Sequence, residues 1–286
     1  MLQVARLSPK ALGESVDLVA AFLHQQQHSS GGFCDRSGAA DLYYTVFALD
    51  GLIALRRDPP PMVRPYLESF GDGAGLDFVH LACLARAWAS DSRDLTAIPT
   101  GAILQRIERF RAADGGYNQT PSASHGTAYG SFLALGAHQD FRATVPDEER
   151  LCDAIEGLRS RDGAYGNQPR MPQGQTSATA AAIAVRRQLG DPVEEAVGEW
   201  LMHRLHPQGG FTAAPGVPLP DLLSTATALH ALATLQRPVD DIREPCLDFA
   251  DTLWTNRGGF CGSWADPALD CEYTYYGLLA LGHLAA

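Results

Sequence analysis

Six positions in this sequence carry chemistry in a recurring place: Asp41, Asp77, His125, Gln175, Asp221 and Asp270 each open an apolar helical run. A carboxylate at a helix start accepts hydrogen bonds from the first unpaired backbone N–H groups and serves as a cap. The same N–H groups, with the partial positive charge of the helix start, also attract an anion. Either role suits the aspartates. His125 caps poorly, so it is either an anion contact or a histidine packed among the helix starts. Arg36 follows Phe33 by three residues, and Arg170 sits in the corresponding loop after Tyr165. Each arginine is an anion ligand or a solvated loop charge. Asp240-Asp241-Ile242-Arg243-Glu244 imitates an acidic magnesium motif, but it starts a helix, where acidic first-turn residues are ordinary.

These residues must be positioned by what lies between them. Gly31-Gly32-Phe33 is a tight turn, in which glycine takes φ > 0 cheaply. From Asp41 to Leu55, the residues Leu42, Val46, Leu49 and Ile53 share one helical face. The unit recurs late in the chain as Gly258-Gly259-Phe260, then Asp270-Cys271-Glu272-Tyr273-Thr274 and an apolar run to Leu284. Between them stand Gly115-Gly116-Tyr117, Gly163-Ala164-Tyr165 and Gly209-Gly210-Phe211, with a degenerate version at Gly71-Asp72-Gly73-Ala74-Gly75. The last four turn aromatics are 48, 46 and 49 residues apart.

Periodicity predicts paired helices. The first members are Ser15–Gln27, Val63–Phe70, Ile98–Arg111, Asp147–Arg159, Asp191 to about Leu205, and Ile242–Trp254. Asp191-Pro192 reads as a cap and first-turn pair. The second members are Asp41–Leu55, Asp77–Trp88, His125–Ala137, Gln175–Leu189, Asp221–Leu235 and the run from Asp270. Such hairpins cannot bury an apolar face alone and must stack on neighbours. The likeness of the first and last repeats, and the lack of polar end repeats, favour a closed ring over an open solenoid. The expectation is an all-α fold: one (α/α)6 toroid of about twelve helices in six glycine-turn repeats, a single domain over 1–286 with no linker.

Composition excludes several classes. The net charge of −11 and pI near 5.2 argue against nucleic-acid and anionic-membrane partners. No apolar run approaches the length of a transmembrane segment, and Met1 to Lys10 lacks the pattern of a signal peptide. Six scattered cysteines without a CxxC pair read as reduced thiols, hence a cytoplasmic protein.

Gln27-His28-Ser29-Ser30-Gly31-Gly32-Phe33 resembles the repeat shared by terpenoid cyclases, such as squalene–hopene cyclase, and protein prenyltransferase β subunits. The unit Gly31-Gly32-Phe33-x-Asp35-Arg36-x-Gly38-x-x-Asp41-x-x-x-Thr45 is similar to the repeats of the Rab geranylgeranyltransferase β subunit. Ser124-His125-Gly126 looks like the family's His-Gly opening of an inner helix. The resemblance spans essentially the whole chain. It implies that the second helices form a parallel inner barrel with their starts at one mouth, suited to a diphosphate. Arg36 and His125 would hold that group, with Tyr129 and Arg170 beside them. Asp41, Tyr44, Asp77, His80, Asp270 and Tyr273 would act on the departing or arriving group. Some of Tyr43, Tyr44, Tyr129, Tyr273, Tyr275 and Tyr276 would line a lumen for an isoprenoid, while the turn aromatics serve packing. The resemblance also implies a possible α-type partner subunit.

The sequence departs from the family at zinc. Protein prenyltransferases place Asp-x-Cys on one inner helix and a histidine three residues after Asp on the next. Here Asp41, Asp221 and Asp270 are followed at the second position by Tyr43, Leu223 and Glu272. Only Asp77 to His80 keeps the histidine spacing. A displaced site from Asp41, His80 and Cys34 or Cys271 is the remaining zinc arrangement, against the plainer reading of each cysteine as a small buried filler. The expectation is therefore no resident cofactor. The Asp-x-Asp-Asp acid of protonation-initiated cyclases is absent too. The leading reading is an isoprenoid or isoprenyl-diphosphate enzyme of prenyltransferase or terpenoid cyclase type. The alternative is a non-catalytic scaffold. A glycan-processing α/α barrel, which needs two opposed carboxylates, fits the glycine turns poorly.

Overall fold

The computed structural model describes residues 1–91 and 94–286. Two single-turn helices come first, α1 (Leu2–Ala5) and α2 (Pro9–Leu12). Six pairs follow: α3 (Val16–Gln25) with α4 (Leu42–Ala54), α5 (Val63–Glu68) with α6 (Phe78–Asp91), and α7 (Thr100–Glu108) with α8 (Ala128–Asp140). Then come α9 (Glu148–Glu156) with α10 (Thr176–Gln188), α11 (Glu195–Met202) with α12 (Leu222–Thr234), and α13 (Arg243–Leu253) with α14 (Cys271–Leu284). Among the described residues, no helix is long and apolar enough to cross a membrane.

The chain divides into two compact units. In the first (1–69 and 205–286), α14 packs between α4 and α12; in the second (70–204), α8 packs between α6 and α10. These second members are buried on most sides. Three short antiparallel ribbons close the loops of the first unit: β1 (Phe33–Cys34) with β2 (Ala40–Asp41), β3 (Phe211–Thr212) with β4 (Pro220–Asp221), and β5 (Cys261–Ser263) with β6 (Asp266–Leu269). All-α periodicity gives no sign of them.

One bond explains why the turns recur. The N–H of each turn aromatic donates to a hydroxyl on the following helix: Phe33 to Thr45 (2.9 Å), Tyr117 to Ser131 (3.1 Å), Tyr165 to Thr179 (3.1 Å), Phe211 to Thr225 (2.9 Å) and Phe260 to Thr274 (3.3 Å). All five rings are essentially inaccessible to solvent, as packing residues should be. A buried N–H without such a partner would cost about 1–3 kcal/mol.

In the three turns of the first unit, the first glycine is where another repeat touches. Gly31 (φ +104), Gly209 (φ +83) and Gly258 (φ +91) lie against the backbones of Met62, Pro245 and Leu18. The last of these contacts joins the sixth turn to the first helix pair, so within the first unit the sixth repeat neighbours the first. Left-handed residues also end helices: Arg56, Arg142 and Gln236 follow α4, α8 and α12 in the usual C′ conformation. A side chain in that conformation costs about 1–2 kcal/mol relative to ordinary backbone.

Two helix starts differ from expectation. Helix α8 begins at Ala128, capped by Thr127, whose hydroxyl accepts from the Gly130 N–H at 2.8 Å. His125 does not open it; its carbonyl accepts from Asn118, which keeps it in the loop. Helix α11 begins at Glu195, not Asp191. The Asp191 carboxylate is drawn back to Arg186 Nε (2.6 Å), and the segment to Glu194 stays outside the helix.

Candidate functional site

The first unit gathers its polar groups where α4, α12 and α14 begin. Asp41 accepts from the N–H groups of Tyr43 (2.8 Å) and Tyr44 (3.2 Å), Asp221 from Ser224 (2.7 Å), and Asp270 from Tyr273 (2.8 Å). All three aspartates therefore cap helices. Asp270 does more: its Oδ2 accepts from Arg36 Nε at 2.7 Å, while Arg36 Nη1 donates to Asp266 at 2.8 Å. The guanidinium also lies 5.5 Å from the centre of the Tyr273 ring. Arg36 is thus doubly ion-paired, not an open cation.

Beside this pair stands Glu272, half-buried, accepting from the Tyr43 hydroxyl at 2.7 Å. Burial pushes its carboxyl up, and neighbouring Asp270 adds to the shift. Burial likewise raises Asp221 and Tyr44, and lifts Tyr273 to about 12. Behind these groups runs a chain of rings across α4 and α14. Tyr43 meets Phe47 at 4.9 Å, and Phe47 meets Tyr276 at 5.4 Å and Tyr275 at 5.8 Å. Tyr43, Tyr44, Phe47, Tyr273 and Tyr276 are only half-buried. A carboxyl that burial pushes up, an ion-paired carboxylate and aromatic faces are groups that proton transfer to an apolar substrate can use. Glu272 is absent from the sequence expectation, which weighed position 272 only as a possible zinc cysteine. Its signal was the spacing Asp270-x-Glu272 in the first turn of an inner helix.

The second unit holds the other expected residues. A cavity of about 920 Å³ is lined by His125, Arg170, Asp114, Asp153, Asn167 and Gln168, among others. Asp114 holds the loop by accepting from the Gly116 and Gly126 N–H groups (3.0 Å each), and its carboxylate stands 3.4 Å from His125 Nδ1. Asn167 accepts from the Tyr129 N–H at 3.1 Å, which links Tyr129 to the same wall. So His125, Tyr129 and Arg170 do come together. Asp77 and His80 form a separate pair, Nδ1 to Oδ1 at 2.9 Å. Burial works to raise the Asp77 carboxyl, but the backbone N–H and ring of His80 bring it below its ordinary value.

The donors of the displaced zinc arrangement do not fit a zinc ion. Asp41 spends Oδ1 on two backbone N–H groups, and His80 Nδ1 is on Asp77. Burial pushes the Cys271 thiol far up, opposite to what a thiolate ligand needs. Among the described residues, no group of three or more histidine, cysteine, aspartate or glutamate side chains could hold a metal.

With this geometry in view, the family can be stated. The prenyltransferase alpha-alpha toroid domain matches residues 10–69, 81–193 and 181–285, and the chain belongs to that family of all-α toroids. No curated protein matches the sequence. Among solved structures, a variant of the type II terpene cyclase MstE from Scytonema, in complex with its substrate geranylgeranyl dihydroxybenzoate, is similar at a TM-score of 0.64 and 12% identity, over 97% of both chains. Protein geranylgeranyltransferase-I of Candida albicans, complexed with GGPP, is similar at 0.52 and 17%, over 99% of this chain and 83% of that one. A protein from Actinoplanes is similar at 0.63 and 15%, over 95% and 98%. These likenesses concern the fold.

Proposed function

We propose that the protein is an isoprenoid-binding enzyme of terpenoid cyclase type, in which the first unit holds a neutral isoprenoid and Glu272 protonates it. The observation that carries this reading is Glu272 itself: a half-buried carboxyl, pushed up by burial, beside the ion-paired Asp270 and in front of the Phe47 ring cluster. Family membership and the isoprenoid ligands of the two named fold relatives support it. In the step, the Glu272 O–H bond breaks and a C–H bond forms at an alkene carbon. The alkene π pair supplies the electrons, and the positive charge falls on the more substituted carbon, over the rings. Ring closure or hydrogen loss follows, and a neighbouring C–H proton returns to the Glu272 carboxylate. The product is an isomer of the substrate.

Asp266 and Asp270 already occupy the Arg36 guanidinium, and Asp41 and Asp221 already cap the neighbouring helix starts, so a diphosphate is the less suited ligand. Incubation with a C20 isoprenoid alcohol is expected to yield an isomer of equal mass. Glu272→Gln should lower its rate by about 10²–10⁴-fold, the usual worth of a general acid. Turnover unchanged in Glu272→Gln would sink the proton-donor role. A C20 diphosphate that raises the melting temperature while the alcohol does not would favour prenyl transfer. No product and no shift with either would favour a scaffold.

We further propose that this chemistry proceeds without zinc, because the donors are committed elsewhere. Elemental analysis is expected to find no stoichiometric zinc. A full equivalent, lost on Cys34→Ala or Cys271→Ala, would contradict it.

A further inference from the structure

Glu272 differs from the neighbouring carboxylates of the first unit in how its two oxygens are used. Asp221 engages both, Oδ1 with the Ser224 N–H and Oδ2 with the Ser224 hydroxyl, each at 2.7 Å. Asp270 engages both, with the Tyr273 N–H (2.8 Å) and Arg36 (2.7 Å). Asp266 does the same, with the Ala268 N–H (3.1 Å) and Arg36 (2.8 Å). Glu272 has one oxygen held. Its Oε1 accepts from the Tyr43 hydroxyl at 2.7 Å, and among the described residues Oε2 accepts no hydrogen bond.

The repeat itself supplies this partner. Tyr43 and Glu272 each stand two residues after a capping aspartate, Asp41 and Asp270, so they hold the same position on α4 and α14, which pack together. The fifth repeat has Leu223 in that position and can make no such bond. Tyr43 is fixed along its length. Its N–H is held by Asp41 Oδ1 at 2.8 Å, and its ring stands edge-on to Phe47 at 4.9 Å and to Tyr44 at 5.6 Å. A carboxylic acid carries its proton on one oxygen and accepts on the other. A donor locked onto one oxygen therefore dictates which of the two can give the proton away.

We propose that Tyr43 is the positioning residue of this site: its hydroxyl occupies Oε1 of Glu272 and leaves Oε2 as the oxygen from which a proton is delivered. The inference rests on the proton-donor reading of Glu272.

The same bond bears on when the proton is present. Burial raises the Glu272 carboxyl, the Tyr43 bond draws it back, Asp270 adds to the rise and Arg36 opposes it. The other ionisable groups around it are Tyr44 on α4, Tyr273 on its own helix and Asp221 at the start of α12. Tyr43→Phe keeps the ring and removes the bond, so it should move the Glu272 titration up. Asp270→Asn keeps a capping side chain and removes a negative neighbour, so it should move the titration down.

NMR titration of the ligand-free protein, labelled at glutamate, measures both shifts, with Glu272→Gln identifying the signal. In turnover of the C20 isoprenoid alcohol, Tyr43→Phe should lower kcat about 10-fold and leave KM nearly unchanged. The alkaline limb of the pH profile should move with the NMR signal, upward in Tyr43→Phe and downward in Asp270→Asn. An unmoved Glu272 signal in Tyr43→Phe, shifts of the same sign in both variants, or an unchanged kcat would each overturn the proposal. Shifts of the expected signs in a protein that turns over no alcohol would instead overturn proton donation by Glu272, the reading beneath this one.

Discussion

Gly209→Ala should leave little folded protein, whereas Gly163→Ala should be tolerated. Both glycines are left-handed, at φ +83 and φ +89, so both substitutions meet the same backbone penalty of about 1–2 kcal/mol. They differ in what a methyl group would strike. At Gly209 it would sit 1.8 Å from the Pro245 carbonyl oxygen and 2.5 Å from its carbon, both backbone atoms that cannot swing aside. At Gly163 nothing stands within 4 Å. The turn or the start of α13 must therefore move in the first variant, and a loss above about 4 kcal/mol is expected, the range reserved for gross steric conflict. Urea unfolding of the two variants checks this. Equal midpoints would show that the turn does not bear on the next repeat.

Acid should destabilise the protein from about pH 6.5 downward. His230 on α12 and His283 on α14 face each other, Nδ1 to Nε2 at 3.1 Å, and burial depresses them to about 3 and about 4. The positive Met1 amino group opposes their protonation as well. In the unfolded chain an imidazole titrates near 6.5. Below that pH the unfolded state binds protons that the folded state refuses, so stability falls as pH falls from about 6.5 towards 4 and is flat above. By pH 5 each imidazole costs about 2 kcal/mol, and the pair up to about twice that. Unfolding midpoints measured between pH 8 and pH 5 should show this slope, and His230→Gln with His283→Gln should flatten it. A slope of the same size in the double variant would place the titrating groups elsewhere.

Much of this architecture was legible because repetition states it five times. Glycine turns and turn aromatics recur, and Thr45 stands four residues after its capping aspartate as Thr225 and Thr274 do, since one turn-to-helix bond must be remade in each repeat. Asp41, Asp221 and Asp270 were legible as caps for the same local reason. What was not legible depends on partners distant in sequence. Nothing near Arg36 announces that Asp266 and Asp270, more than 200 residues away, will occupy its guanidinium. Glu272 likewise becomes distinctive only when Tyr43 and the rings of α4 are brought beside it. The start of α11 was misplaced for a local reason: Asp191 answers to Arg186, five residues back at the end of α10, and that ion pair outweighs a cap and a proline.

The contact of Gly258 with Leu18 has a consequence for assembly on the ribosome. Residues 70–204 form a unit continuous in sequence, so all its internal partners are available once that stretch has emerged. The other unit is built from 1–69 and 205–286, and Leu18 has no Gly258 to receive it until most of the chain has been made. Residues 1–69 therefore wait with an apolar flank uncovered, while residues 70–204 can already condense. Closure of this loop of about 240 residues adds little entropic cost beyond that of a shorter one, but it is late by construction. The vulnerable interval in the life of this protein is thus translation of residues 205–286, when α3 and α4 are most exposed to holdase chaperones and proteases.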